Sequence, residues 1–546
     1  MVTPPVCLTN RPPPVEANRP HVLDFTVHYL VYQISKNIAT NDCINITVID
    51  LHNDALLALP PKKLLPYLKN AKKQGVNEIW LSIWTTELKN PFSVIARKRK
   101  LLDKINGDPQ YPICRLHIED VWFLTQKNIQ RLIDLKPYSV SLTWNNTNNL
   151  AGGAHSKTGI TPLGYKIIEQ LENADIQIDT AHLNRRSFWQ FVKITTRPII
   201  CTHTALDAIC HHPRNLTNKQ IKTIIKSGGF IGLALVPKFL TQNTTYCGIY
   251  NIINHISYFK KHFNPTKIFF GTDFYGTDIL PQGVSHYQNI KHLLNAQIIG
   301  HSAAKQPIIA YQIGNITAPQ RLLITASMHA REWITSIALT KWLEQTNTIP
   351  NNYCIIAVPC CNPDGVKLAT TGYESFTKHR QNFLYQINQK STNFKLWKAN
   401  IHAVDLNVNF DVGWGHGKSN IFTPAPANYI GPEPHSEPET RALLRLINQT
   451  KPTQSIALHT KGNLIYYSRI ADAQIANKIS KITNFPAILS TNSFGGLTDY
   501  LALRYKIPSL TIELGDDSLT HPITEEQLPQ ITSTLTKIID YFLTGE

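Results

Sequence analysis

Short runs of apolar residues alternate with helix-length segments through the first half of the chain. Eight such runs are present: Ile46–Ile49, Ile79–Ile83, Ile113–Ile118, Val140–Trp144, Ile176–Ile178, Pro198–Cys201, Phe230–Leu235 and Ile268–Phe270. Strands separated by helical segments are typical of parallel β-α-β units. Eight such units in succession predict a (β/α)₈ barrel.

A second alternating pattern occupies the C-terminal half. Its strand-like runs are Ile308–Tyr311, Arg321–Ala326, Cys354–Val358, Ser455–His459 and Ser509–Glu513. Helical patterns lie between and after them, for example at Glu437–Asn448 and Glu525–Leu543. This arrangement predicts an α/β domain with a mixed sheet, which places the whole chain in the α/β class.

These patterns divide the chain into three parts. Residues 1–45 are a proline-rich lead to which we assign no role, residues 46–294 form the barrel, and residues 295–546 form the second domain. The join near residues 295–306 is short and partly apolar, unlike a flexible Gly/Ser linker. The two domains are therefore expected to pack against each other.

Titratable side chains follow several of the predicted barrel strands, at the strand ends where this fold places its chemistry. They are His52, Asp54, Glu119, His182, His203 and Asp273. A single histidine in such a position is more often a structural residue than a ligand. Six titratable residues on matching ends favour a site for two zinc ions, with one carboxylate bridging the metals.

The segments around these residues resemble the membrane dipeptidase family over roughly residues 46–294. The matching motifs are Asp50-Leu51-His52-Asn53-Asp54, Leu142-Thr143-Trp144-Asn145, Leu150-Ala151-Gly152-Gly153, Gly159-Ile160-Thr161-Pro162-Leu163-Gly164, Thr202-His203, His212-Pro213-Arg214-Asn215-Leu216-Thr217 and Gly271-Thr272-Asp273-Phe274. The zinc ligands implied by the resemblance are His52 and Asp54 for one ion, Glu119 as the bridge, and His182 and His203 for the other.

The resemblance also implies substrate contacts and a proton carrier. Asp273 would transfer the proton, and Arg214 would hold the terminal carboxylate of the substrate with its guanidinium group. Trp144 stands where the family often has a histidine that polarises the scissile carbonyl. An indole N–H can donate one hydrogen bond but cannot become cationic. The family's last helical segment is missing after Leu294, so the barrel is expected to close against the second domain.

In the C-terminal half, His329 and Glu332 lie three residues apart, directly after an apolar strand. Such a pair can supply two of the three protein ligands of a catalytic zinc site. Further motifs follow in order: Asn362-Pro363-Asp364-Gly365, Val404-Asp405-Leu406-Asn407, Gly431-Pro432, Ser436-Glu437-Pro438-Glu439-Thr440, Ile456-Ala457-Leu458-His459 and Thr511-Ile512-Glu513. Together they resemble the zinc carboxypeptidase family over roughly residues 300–546.

This second resemblance implies a mononuclear zinc site. His459 would be the third ligand and Glu513 the general base, because partial burial at a strand end raises the pKa of a carboxyl group toward the useful range. The candidates for stabilising the oxyanion are Arg331 and Lys398. Asn407 resembles the asparagine that binds the substrate carboxylate in the family.

Several positions depart from the carboxypeptidase pattern. Val408 replaces the arginine that grips a C-terminal carboxylate, Lys398 stands where an arginine is typical, and Thr491 lies roughly where a tyrosine is usual. These differences favour the bacterial branch that cleaves γ-D-glutamyl–diaminopimelate bonds. Arg380 or Arg504 could supply the missing cation.

The overall charge gives only weak information about the binding partners of the protein. The net charge of +17 and pI of about 9.3 favour acidic partners, although a composition rich in Lys, Asn and Ile gives the same excess by drift. The densest basic run, residues 96–100, is typical of a solvated helix face, so no nucleic-acid partner is expected. No apolar stretch is long enough to span a membrane.

The nine cysteines contain no C-x-x-C pair, and no signal peptide is evident in residues 1–20. Both features predict a cytoplasmic protein, and the sequence leaves open whether it forms a homodimer.

The resulting hypothesis is a bifunctional zinc peptidase for acidic peptides such as muropeptide fragments, with two zinc ions in the barrel and one in the second domain. Two alternatives remain open: a barrel that only binds peptides, and a general dipeptidase/carboxypeptidase.

Overall fold

The computed structural model describes residues 39–40, 43–45, 48–243, 245–491 and 494–545. Most of the proline-rich lead lies outside these residues. Its described end contains two short strands, β1 (Ala39–Thr40) and β2 (Cys43–Asn45), which pair with each other in antiparallel fashion.

Eight parallel strands then close into a barrel. They are β3 (Val48–Asn53), β4 (Val76–Trp84), β5 (Ile113–Glu119), β6 (Ser139–Ser141), β7 (Gln177–Asp179), β8 (Ile200–Thr204), β9 (Phe230–Leu233) and β10 (Ile268–Phe270). Each overlaps one of the eight apolar runs, and β10 pairs with β3 to close the ring. The predicted (β/α)₈ barrel is confirmed.

Helices connect the barrel strands. They are α1 (Ala55–Ala58), α2 (Pro61–Lys73), α3 (Pro91–Ile105), α4 (Ile129–Ile133), α5 (Pro162–Asn173), α6 (Arg185–Val192), α7 (Asn218–Lys226), α8 (Pro237–Leu240), α9 (Ile249–His262) and α10 (Tyr287–Ile290). Short polar side chains cap several of them: Asn90, Thr161, Asn184 and Thr217 each accept a hydrogen bond from a backbone N–H of the first helical turn.

The second half forms an eight-stranded mixed sheet with the order β11-β12-β15-β13-β16-β19-β17-β18. Its strands are β11 (Ala296–His301), β12 (Pro307–Gly314), β13 (Gln320–Thr325), β15 (Tyr353–Val358), β16 (Gln454–His459), β17 (Leu464–Tyr467), β18 (Ala487–Leu489) and β19 (Ser509–Glu513), while β14 (Thr348–Pro350) pairs with β2. Strands β15, β13, β16 and β19 run parallel to one another. The predicted mixed sheet is confirmed.

Helices cover this sheet. They are α11 (Ile334–Gln345), α12 (Pro363–Thr371), α13 (Lys378–Ile387), α14 (Pro438–Thr450), α15 (Ala473–Thr483), α16 (Leu497–Arg504) and α17 (Leu528–Thr544). The predicted amphipathic segments correspond to α14 and α17.

Three strands of this sheet were not predicted: β11, β17 and β18. Strand β11 lies within the predicted join, and β18 lies at the other edge of the sheet. The side chains of β11 are mostly half-buried, and Ile488 and Leu489 in β18 are exposed. Edge strands are covered on fewer sides, so they lack the continuous apolar run that marks a central parallel strand.

The join is thus already part of the second sheet, and it contacts the barrel. Ser257 of α9 accepts a hydrogen bond from the backbone N–H of Ile298, and Lys260 donates to the carbonyl of Ala296 at 3.1 Å. Lys291, which follows α10, donates to the carbonyl of Thr346 at 2.7 Å. These contacts hold α9 against the edge strand β11, and they hold the segment after α10 against the residues that precede β14.

Within the described residues, no helix combines the length and apolar character needed to cross a membrane. The seven cysteines from Cys114 to Cys361 form no disulfide.

Candidate metal centres and active sites

The structure gathers all six polar residues predicted for the barrel at one end of its strands. His52 lies in β3, Glu119 ends β5 and His203 lies in β8. His182 and Asp273 each follow the end of a strand by three residues, and both have left-handed backbone conformations, with φ of 68° and 60°. Such conformations cost energy for residues other than glycine, and they recur at functional sites where the surroundings hold them in place.

The two oxygens of Glu119 face two different groups of ligands. Its Oε1 lies 2.7 Å from His182 Nε2 and 3.6 Å from His203 Nε2. Its Oε2 lies 3.9 Å from His52 Nε2, which is itself 3.4 Å from Asp54 Oδ2 and 3.9 Å from an oxygen of Asp273. This arrangement suits a carboxylate that bridges two metal positions.

The electrostatics of this cluster also fit a bound cation. Burial raises the pKa of Glu119 to about 8 and that of Asp273 to about 6, and it lowers the pKa values of His182 and His203. The Nε2 atoms of these two histidines lie only 2.8 Å apart. Neutral imidazole nitrogens and carboxylate oxygens that converge in a buried space form a donor set typical of zinc.

Neighbouring polar groups orient the histidine rings. Asn145 Oδ1 lies 2.9 Å from His182 Nδ1, and the Thr202 hydroxyl lies 3.0 Å from His203 Nδ1. Contacts of this kind leave the Nε2 atom of each ring directed at the centre of the cluster, as in many metal sites.

Arg214 and Trp144 lie beside the cluster. Arg214 is buried and donates from Nη2 to the carbonyl of His203 at 3.3 Å, while its Nε has no hydrogen-bond partner among the described residues. The Trp144 ring lies 6.3 Å from that of His182 and 5.3 Å from that of Trp84, measured between centroids. Trp84 was not among the residues predicted for this site, although its position as the last residue of β4 could have indicated it.

In the second half, His329, Glu332 and His459 converge on one point. His329 Nδ1 lies 2.9 Å from Glu332 Oε1, His459 Nδ1 lies 2.9 Å from Glu332 Oε2, and the two Nδ1 atoms are 3.1 Å apart. All three residues are buried. Two imidazole nitrogens and a carboxylate match the ligand set of a catalytic zinc site with an open position.

Glu513 lies beside this cluster because β19 pairs with β16 so that Glu513 is opposite His459. Burial raises the pKa of Glu513 to about 7, against the lowering effect of His459, Lys398 and Arg331. Its Oε2 is buried and has no hydrogen-bond partner among the described residues. A carboxylate with these properties can accept a proton near neutral pH.

Asp405 is the main residue of this region to which the sequence analysis gave no role. It is fully buried, 3.3 Å from His329 Nε2 and 2.9 Å from Lys398 Nζ. Burial alone would raise the pKa of Asp405, but Lys398 and His329 lower it well below its ordinary value. The motif Val404-Asp405-Leu406-Asn407, which matches the carboxypeptidase pattern, could have indicated Asp405. An aspartate in a metal site can orient a metal ligand as well as bind the metal itself.

The other predicted residues are placed as follows. Lys398 is held by Asp405, and its Nζ also lies 3.3 Å from Asn428 Oδ1. Asn407 accepts a hydrogen bond from the backbone N–H of Leu497.

The two arginines considered as substitutes for the missing cation have contacts elsewhere. Arg380 donates to the carbonyl of Ile401, and Arg504 pairs with Asp411. Among the described residues, neither forms a hydrogen bond or ion pair with the His329 cluster.

Two families of known proteins match different parts of the chain, with an overlap at residues 285–316. The family model for membrane dipeptidases matches residues 125–316, and that for zinc carboxypeptidases matches residues 285–478. The first region contains His182, His203, Arg214 and Asp273; the second contains His329, Glu332 and His459. Both families are zinc metallopeptidases, so the protein is a two-domain metallopeptidase with a dipeptidase-like part and a carboxypeptidase-like part.

Among individual proteins, γ-D-glutamyl-L-diamino acid endopeptidase 1 of Lysinibacillus sphaericus is 31% identical over 276 residues, which are 47% of this chain and 69% of the relative. Through its C-terminal part, the chain belongs to the zinc carboxypeptidase family.

Two solved structures are more distant. A metallopeptidase of Rhodobacter sphaeroides bound to a phosphinate mimic of L-Ala-D-Ala has 18% identity and a TM-score of 0.37, covering 46% of this chain and 91% of its own. The murein-tripeptide amidase MpaA of Escherichia coli O157 has 21% identity and a TM-score of 0.32, covering 45% and 91%.

Proposed function

We propose that the protein degrades peptides derived from peptidoglycan in two successive hydrolyses. The carboxypeptidase-like part cleaves the bond between the γ-carboxyl group of D-glutamate and diaminopimelate. The barrel then cleaves the remaining L-Ala-D-Glu dipeptide. The observation that carries the proposal is the presence of two separate buried clusters of histidines and carboxylates, one at the strand ends of each half. Similarity to a γ-D-glutamyl-L-diamino acid endopeptidase supports the first reaction.

We assign three zinc ions to these clusters. Two are held in the barrel by His52, Asp54, Glu119, His182 and His203. One is held in the second half by His329, Glu332 and His459. In such sites zinc, when bound, acts as a Lewis acid that polarises a peptide carbonyl.

In the second half, Glu513 acts as the general base and takes the proton of the attacking water. The burial of its Oε2 and its pKa of about 7 suit this role near neutral pH. Arg331 stabilises the negative charge that develops on the carbonyl oxygen, and Lys398 adds to the positive potential from its ion pair with Asp405. Asn407 contributes to substrate binding, and Val408 stands where the family has an arginine that binds a C-terminal carboxylate.

In the barrel, Asp273 carries the proton to the leaving amine. Arg214 binds the α-carboxylate of the C-terminal D-residue, because its buried guanidinium has a free donor and faces the cluster. The Trp144 ring bounds the site beside His182 and donates at most one neutral hydrogen bond to the substrate.

The substrates are acidic peptides, which the net charge of +17 attracts. We propose no nucleic-acid or membrane partner. The unpaired cysteines favour a reducing compartment, so we propose a cytoplasmic location.

The direct test is incubation of the zinc-loaded protein with L-Ala-γ-D-Glu-diaminopimelate, followed by mass analysis. Release of free alanine, glutamate and diaminopimelate is expected. An intact tripeptide would contradict the first reaction, and cleavage of unrelated C-terminal residues at equal rates would favour a general carboxypeptidase.

The metal assignment in the barrel predicts a loss of zinc. The double substitution His182→Ala and His203→Ala should remove at least one zinc ion per chain, because it deletes both imidazoles that face Glu119 Oε1. Release of diaminopimelate by the second half should continue. Metal content is measured by atomic absorption, with His301→Ala and His379→Ala, two exposed histidines, as the control. Unchanged zinc in the double variant would refute the barrel site.

The contact between Asp405 and His329 predicts an effect on zinc affinity in the second half. Asp405→Asn should weaken zinc binding about 10–100-fold, because it removes the carboxylate that orients the imidazole of a ligand. Competition with a chelator measures the affinity. Asp411→Asn removes the same charge from a half-exposed ion pair and should leave zinc affinity unchanged. Equal affinities in the two variants would show that Asp405 does not position the ligand.

A further inference from the structure

A pocket of about 420 Å³ opens at the end of the barrel that carries the metal cluster. It is lined by Ala154, Ser156, Lys157, Asn184, Arg185, Arg186, His211 and Pro213. These residues belong to the segments that follow β6, β7 and β8, and so to the same end of the barrel as the cluster. None of them has a role in the reaction described above.

The pocket carries uncompensated positive charge. Arg185 Nη2 lies 3.1 Å from one oxygen of Asp207, and His211 Nδ1 lies 3.0 Å from the other. Lys157 and Arg186 form no ion pair or hydrogen bond with any other described side chain. Two cations are therefore available to a ligand, and the ligand that they favour is an anion.

The pocket is held in shape by hydrogen bonds between its walls. Asn184 Nδ2 donates to the carbonyls of Ser156 and Thr158 at 3.0 and 2.8 Å, and the Ser187 hydroxyl donates to the carbonyl of Gly152 at 3.0 Å. The Lys157 segment is thus tied to the start of α6, which carries Arg186. Less ordering of the walls is then needed when a ligand binds.

Two chain segments connect the pocket to the reacting centre. Asn184 is two residues after His182, so their Cα atoms are at most about 7 Å apart. Pro213 immediately precedes Arg214, which we assign to the substrate α-carboxylate. The pocket lining thus comes within two residues of a predicted metal ligand and within one residue of Arg214 along the chain.

We propose that this pocket binds the γ-carboxylate of the D-glutamate in the dipeptide L-Ala-D-Glu, through Lys157 and Arg186. The inference rests on the proposed function of the barrel. It gives a physical reason for the order of the two reactions, because hydrolysis of the γ-amide by the second half releases diaminopimelate with a free amine and leaves glutamate with a new carboxylate. In the uncut tripeptide the same position is a neutral amide. The pocket thus favours the product of the first cleavage over its substrate.

The test compares two dipeptides that differ only at this position, L-Ala-D-Glu and L-Ala-D-Gln. Their dissociation constants are measured by calorimetry on the zinc-loaded full chain carrying Asp273→Asn, which slows turnover. L-Ala-D-Glu is expected to bind about tenfold tighter or more, the ratio that corresponds to one charge-assisted hydrogen bond. Adding Lys157→Gln and Arg186→Gln should bring the ratio close to one.

The control replaces Lys166 and Lys222 by glutamine, which removes the same charge from exposed positions on α5 and α7. This variant should keep the wild-type ratio. Equal binding of the two dipeptides by the chain with an intact pocket, or an unchanged ratio after Lys157→Gln and Arg186→Gln, would overturn the proposal. If the ratio is as expected but the wild-type barrel hydrolyses neither dipeptide, the binding site stands and the proposed hydrolytic role of the barrel fails.

Discussion

Replacing Glu513 by glutamine is expected to slow the cleavage of L-Ala-γ-D-Glu-diaminopimelate by about 10²–10⁴-fold while zinc remains bound. The amide has nearly the same shape as the carboxylate but cannot accept a proton from water. Glu513 is opposite His459 in the sheet and is not one of the three converging ligands, so the metal site should persist. The rate of diaminopimelate release and the zinc content are measured on the same preparation.

The control for this prediction is Glu525→Gln, an exposed position before α17. It should show the wild-type rate. A Glu513→Gln variant with wild-type activity on the tripeptide would remove Glu513 from the reaction. A variant that loses zinc as well as activity would instead make Glu513 a structural support of the metal site.

Replacing Asp273 by asparagine is expected to stop the overall reaction at L-Ala-D-Glu. Loss of the proton carrier should slow the barrel by about 10²–10⁴-fold, without affecting the second half. The position of Asp273, half-buried and 3.9 Å from His52 Nε2 with its pKa raised to about 6, is the physical basis for this expectation. Mass analysis should show diaminopimelate and dipeptide accumulating in equal amounts.

Two comparisons make this result interpretable. Asp278→Asn changes an exposed aspartate five residues away and should leave all three products unchanged. The Glu513→Gln variant should leave the tripeptide whole, since the barrel is expected to take only dipeptides. If the wild-type chain itself stops at the dipeptide, the barrel is a binding module, and the replacement of histidine by Trp144 is the natural explanation.

Much of the fold could be predicted from sequence because the central strands are buried on both faces. Strand β4 contains the largely apolar stretch Ile79–Ile83 and β13 contains Leu322–Ile324, and stretches of this kind are visible without any tertiary information. Strands β11, β17 and β18 lack this signal. They are placed by pairing with neighbouring strands, β11 with β12, β17 with β19 and β18 with β17, and this pairing depends on residues outside the strand itself.

The sequence alone determined the types of side chain available for metal binding and the strand ends that carry them. His52, Glu119, His182 and His203 could be named because each follows or ends an apolar run, and His329 and Glu332 because they share one turn. The tertiary structure alone decided how these groups face one another. The two oxygens of Glu119 point to different histidines, Asp405 reaches both His329 and Lys398, and Lys157 and Arg186 share one pocket. Distances across a barrel or sheet depend on strand register and loop packing, which combine residues far apart in the chain, and no local pattern records them.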